Sequence, residues 1–204
     1  MGGERFNTIS HLLGAGLALA GLIALVFRTA TRGDVWAVVG CGVYGTTLVF
    51  LYASSSLYHA FEGRAKTALR RLDHSAIHLL IAGTYTPFTL VTLRGPGGLS
   101  LLAVVWALAT AGILYEVFAP RHRPMLRVSL YVGMGWLALF AIGPLARALP
   151  APALALIVAG GLFYTLGIPF FALDKRLSWG HGAFHLFVLA GSVAHFAAIY
   201  GYVA

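Results

Sequence analysis

Long apolar runs alternate with short polar connections along the chain, and each run is about 20 residues, the length that crosses a bilayer core as a helix. After a polar start, Met1 to Asn7, the first run covers about residues 8–27 and the second about 35–59. The third covers about 73–93, the fourth about 99–119 and the fifth about 128–145. The sixth covers about 153–173 and the seventh about 180–203. Turn chemistry separates them, as in Arg94-Gly95-Pro96-Gly97-Gly98 and Pro150-Ala151-Pro152. Ala18-Leu19-Ala20 looks like a signal cleavage site, but apolar sequence continues to Phe27, so the first helix is expected to be retained. The pattern predicts an all-α polytopic membrane protein with seven transmembrane helices in a single domain, residues 1–204.

Composition agrees. The chain is 59% hydrophobic and 10% charged, with a mean hydropathy of +0.85, far from a soluble domain. A net charge of +8 in a soluble protein would suggest nucleic acid. Here the basic residues lie between apolar runs, so they are expected to set topology and to meet anionic lipid head groups, with no nucleic acid as partner. Cys41 is the only cysteine, which excludes an internal disulfide. The arginine-rich basic set suggests a bacterial source, and with it a multi-pass protein of the plasma (inner) membrane.

Ten Lys and Arg fall on the N-terminal segment and the second, fourth and sixth connections, and four fall on the others. The N-terminus is therefore expected in the cytoplasm and the C-terminus on the far side. A reporter fused at the C-terminus should be active only outside the cytoplasm, and one inserted after Lys66 only inside. The opposite pattern would reverse this orientation.

That orientation brings chemistry to one level. Ser55 and His59 close the second span, Asp73 opens the third, and His181 and His185 open the seventh. His11 lies near the start of the first. All of them reach the inner leaflet, where ionisable side chains are costly and mark sites. His181 and His185 stand four apart on one helix face. With His59 they would give Zn2+ three protein ligands and an open position, the pattern of a catalytic zinc. Asp73 could offset the ion's charge and accept a proton from water. Ser55, one turn before His59, could orient a ligand or donate to an oxyanion. Blander roles exist for each. Asp73 could be the N-cap of the third span, Ser55 could bond its own helix carbonyl, and the histidines could be interfacial side chains with wet tips.

His74 and His78 form a rival pair, pointing about a quarter-turn away from Asp73. His74 is expected at head-group level or behind the site, and His78 as a packed polar residue. His195 lies about 15 Å deeper than His185 and is expected to bond a neighbouring helix. Asn7 and His11 share a face with Glu4 and are kept as outer residues of the site.

Taken together, Glu4-x-x-Asn7-x-x-Ser10-His11, Ser55-x-x-x-His59, Asp73-His74-Ser75 running into Leu80 to Pro87, and His181-x-x-x-His185 resemble the bacterial hemolysin III family. That family is the prokaryotic branch of the progestin and adipoQ receptors, related to the alkaline ceramidases. The resemblance spans essentially the whole chain. It implies seven helices with the N-terminus inside and zinc near the cytoplasmic face, held by His59, His181 and His185 with Asp73 and Ser55 beside it. Gly182 departs from the pattern, since the family often has Glu between its last two histidines.

Two functional readings follow. One is a zinc-dependent lipid amide hydrolase, ceramidase-like, acting on a membrane lipid of sphingolipid, ceramide or fatty-acid type. The alternative is a non-enzymatic sensor, receptor-like protein or cytolysin with a structural zinc. No continuous ionisable stripe lines any span, which argues against a simple pore.

Overall fold

In lipid every backbone group must bond within its own segment, so uninterrupted apolar runs fold as helices. The computed structural model describes residues 2–119, 123–174 and 176–204. Its helices are α1 (Gly2–Arg32), α2 (Val35–Ala60), α3 (Ala65–Pro87), α4 (Pro96–Phe118), α5 (Pro124–Trp136), α6 (Ile142–Ala148), α7 (Ala151–Ala172) and α8 (Gly180–Tyr202). Among the described residues there is no strand.

Among the described residues six stretches are long and apolar enough to cross a membrane: Glu4–Arg32, Val35–Ala60, Pro96–Phe118, Pro124–Ala148, Ala151–Ala172 and Gly180–Tyr202. Leu17, Phe27, Phe118 and Phe140 stand exposed on the outside, a surface suited to lipid rather than water. The exception is α3. It has 23 residues and so spans about 35 Å, but its first turns carry Lys66, Arg70, Arg71, Asp73 and His74. It packs against α2, α4 and α5.

Helix ends follow local chemistry. Gly33 turns the chain with φ 74°, and Asp34 caps α2 by accepting from the Trp36 and Ala37 amides at 2.9 and 3.4 Å. The Asp34 carboxylate also accepts two bonds from Arg94 at 3.0 and 3.1 Å, tying the α1–α2 turn to the α3–α4 turn. Desolvation pushes its carboxyl up, but the Trp36 amide, the Arg94 guanidinium and the Ala37 amide outweigh that and hold it below the usual range.

Two expected spans are irregular. After Pro87 the third continues as a π-helical turn, Phe88–Thr92, since proline lacks the N–H that would continue the α ladder. The fifth breaks at Trp136 into a 3-10 turn, Leu137–Ala141, before α6. The Tyr85 hydroxyl from α3 fills that break. It accepts from the Ala138 amide at 2.8 Å and lies 2.9 and 2.8 Å from the Met134 and Gly135 carbonyls. A buried break of this kind survives because a side chain meets the freed backbone.

Three expected boundaries shift. The polar start is already helical, so α1 carries Glu4, Asn7 and His11 on one face. Helix α3 begins at Ala65, eight residues before Asp73. Asp73 is therefore inside a helix and not its N-cap. Arg127, expected in a basic loop, lies in α5 and is buried. Of the fourth and sixth connections, residues 120–122 and Lys175 lie outside the described residues.

Helices α1, α2 and α8 meet along a core that includes Leu25, Tyr44, Tyr52 and Ile199. Elsewhere small residues let helices close up. Gly112 of α4 faces the fully buried His78 ring of α3, and a Cβ there would overlap the imidazole. Gly112→Ala is expected to destabilise by about 1–3 kcal/mol, read as a lower thermal midpoint in detergent. An unchanged midpoint would show that α3 and α4 can separate freely.

Candidate metal centre

The site forms where four helix ends meet. Helix α2 ends at Ala60, α3 and α8 begin nearby, and the first turns of α1 close the fourth side. His59, His181 and His185 offer ring nitrogens that all lie within 4.8 Å of one another. Their ring centroids are 4.8–5.0 Å apart. His59 and His185 are buried, and His181 is half-buried, leaving the cluster reachable from that end. Among the described residues this is the one group of three or more His, Cys, Asp or Glu side chains so placed.

The partners of the outer ring nitrogens assign the tautomers. His59 Nδ1 lies 2.5 Å from the Glu4 carboxylate, which can only accept, so Nδ1 carries the proton. His181 Nδ1 is 3.6 Å from Asp174, within ion-pair reach. Ser10 Oγ donates to the Asn7 carbonyl at 3.0 Å, leaving its lone pairs for His185 Nδ1 at 3.4 Å. Protons on the three Nδ1 atoms leave the Nε2 atoms bare. His59 Nε2 and His181 Nε2 lie 3.2 Å apart, and with both rings protonated on Nδ1 they would present two lone pairs to each other.

Such an arrangement is repulsive until a cation sits there. Metal–nitrogen bonds of about 2.0–2.1 Å in tetrahedral geometry place two ligand nitrogens about 3.3 Å apart, so the spacing fits. Metal-ligating histidines also carry a carboxylate or backbone acceptor on the other nitrogen. The three imidazoles can therefore hold a metal ion.

The remaining sequence candidates divide. Ser55 of α2 neighbours the Asp73 carboxyl of α3. It does not bond its own helix carbonyl; Ser54 does, to Leu51 at 3.0 Å. Since Ser55 is one turn before His59, this pair lies about 6 Å along α2 from the cluster. His11 is buried and stacks on His185 with centroids 3.6 Å apart. His78 is a packed residue against Tyr131. His195 bonds the Ile157 carbonyl of α7 at 3.1 Å and lines an apolar cavity of about 90 Å³ elsewhere in the bundle.

Sequence reasoning put Glu4 on one face with Asn7 and His11 but assigned neither Glu4 nor Asp174 to an imidazole. Glu4 stood outside the expected first span and Asp174 in a loop. Nor did it foresee Glu116, an acid inside the fourth span that bonds the buried Arg127. An acid within an apolar run was the available signal. A Cβ at Gly182 would stand 3.0 Å from the ring of exposed Phe6, a contact that a small shift of the ring relieves.

Comparison with known proteins places the whole chain in one family. The sequence model of the family described as "Haemolysin-III related" matches residues 1–196. The chain is 43% identical to Hemolysin-3 of Bacillus cereus over 201 residues, covering 98% of this chain and 91% of that protein. It is 38% identical to the Hemolysin-3 homolog of Bacillus subtilis (strain 168), covering 98% and 93%. More distantly, it is 25% identical to the human Monocyte to macrophage differentiation factor, covering 83% and 73%. These bacterial relatives agree with a place in the plasma membrane. The chain is a multi-pass integral membrane protein and belongs to the haemolysin-III related family.

Proposed function

We propose that the protein is a zinc-dependent hydrolase of a lipid amide, ceramidase-like, with seven spans, a cytoplasmic N-terminus and its site at the cytoplasmic end. One observation carries the reading: three imidazoles with their outer nitrogens occupied and their inner nitrogens converging. Three protein ligands rather than four is the catalytic pattern, and imidazole donors suit zinc.

His59, His181 and His185 would hold the ion, which when bound supplies Lewis acidity to a carbonyl and lowers the pKa of nearby water. Glu4, Asp174 and Ser10 keep the imidazoles turned with Nε2 inward. Asp73 accepts a proton at a carboxylate oxygen as water attacks the amide carbon. It returns that proton to the departing amine nitrogen as the C–N bond breaks. Ser55 holds the carboxyl in place and can donate toward the carbonyl oxygen. The lipid head would approach past half-buried His181, and Arg64, Arg70 and Arg71 would meet anionic head groups.

Release of fatty acid from short-chain ceramide by purified, zinc-loaded protein in detergent tests this reading. Turnover of neither amide nor ester lipid would overturn it. The names of the relatives, hemolysins and a differentiation factor, favour a second reading, a membrane sensor or cytolysin whose metal only braces α2 and α8.

A further inference from the structure

A second buried polar group lies beside the first, on α3, α4 and α5. Glu116 near the end of α4 and Arg127 in the first turn of α5 form a forked ion pair, with Nε–Oε1 at 2.5 Å and Nη2–Oε2 at 3.0 Å. Glu116 is 1% exposed and Arg127 9%. The same Glu116 Oε2 lies 3.6 Å from His74 Nδ1. From α5, the Tyr131 hydroxyl donates to the His74 backbone carbonyl at 3.0 Å.

We propose that Glu116, Arg127 and Tyr131 are positioning residues that clamp α3 at His74 and so hold the adjacent Asp73 against Ser55. Two helices grip a third at one residue, the one that follows Asp73. The turns of α3 before it are exposed or half-exposed from Ala65 to Leu72, and there Lys66 reaches Glu4 of α1 and the Tyr58 ring of α2, neither of which lies on the α4–α5 side. Because a helix is rigid over one residue, fixing His74 fixes the direction of the Asp73 side chain. Energetics point the same way. A buried ion pair stabilises less than well-packed apolar residues of the same volume, so cohesion of α4 and α5 alone does not call for these charges. In a membrane protein such a pair marks a functional position.

The clamp's kinetic consequence rests on the hydrolase reading, so the test has two arms. In the first, Glu116→Gln/Arg127→Met removes both charges together and avoids stranding one, and Tyr131→Phe removes only the hydroxyl. The double variant should keep its zinc and its KM within about twofold, while kcat falls on the order of tenfold. In an Asp73→Asn background the same substitutions should cost nothing further, because they act through Asp73. An unchanged kcat, or an equal loss with and without Asp73, would overturn the clamp and leave a structural pair.

The second arm needs no activity. In full-length Cys41→Ala protein, Ser55→Cys and Asp73→Cys are joined with a short bifunctional thiol reagent. Cross-linking should slow about tenfold when Glu116 and Arg127 are neutralised, and an unchanged rate would overturn the proposal. Should the parent hydrolyse no lipid, the hydrolase reading falls and this arm alone decides the clamp.

Discussion

Asp73→Asn is expected to lower lipid amide hydrolysis by about 10²–10⁴-fold while leaving fold and zinc content intact. Asn has nearly the shape of Asp and can still pair with Ser55, but it cannot take a proton from water. Loss of a positioned general base costs that much. The structure sharpens this test. Asp73 lies inside α3, so the substitution does not disturb a helix start. The carboxylates that buttress the imidazoles are Glu4 and Asp174, so metal retention does not depend on residue 73. Ser55→Ala should cost less, on the order of tenfold, because it removes one hydrogen bond and no proton acceptor. Asp73→Asn protein that keeps its zinc and hydrolyses at the parent rate would exclude the mechanism. The structural-metal reading would then lead.

Replacing any one of His59, His181 or His185 by Ala is expected to strip most of the metal, because two protein ligands hold zinc poorly. Elemental analysis after dialysis gives the readout, with about one zinc per chain in the parent. Glu4→Gln should weaken binding by about 10–100-fold and leave some metal at saturating zinc. The Glu4 carboxylate fixes the His59 tautomer from outside and is not itself a ligand. His78→Ala and His195→Ala should retain the parent metal content, since His78 packs on Tyr131 and His195 bonds the Ile157 carbonyl. Full metal content in the triple-histidine variant would remove the site. The two experiments are independent: a protein that binds zinc and survives Asp73→Asn keeps its metal centre and loses its proposed chemistry.

The sequence by itself determined the helical membrane class, because apolar runs of bilayer length have no other stable fold in lipid. It also brought His59, His181 and His185 to one level through an expected order of spans, and their ring nitrogens lie within 4.8 Å of one another. It misjudged where helices begin. Glu4 and Asn7 read as a polar tail, and residues 65–72 as a basic loop, because hydropathy marks the edge of lipid and not the edge of a helix. Polar residues extend α1 and α3 past that edge. What only the tertiary structure decided is direction. The rotation of each helix about its axis turns Glu4 onto His59, Ser10 onto His185 and Ser55 onto Asp73. Close approach of α4 and α5 to α3 sets Glu116, Arg127 and Tyr131 around His74. Those contacts join residues far apart in the chain. They depend on side-chain packing between helices, which a single sequence's periodicity does not encode.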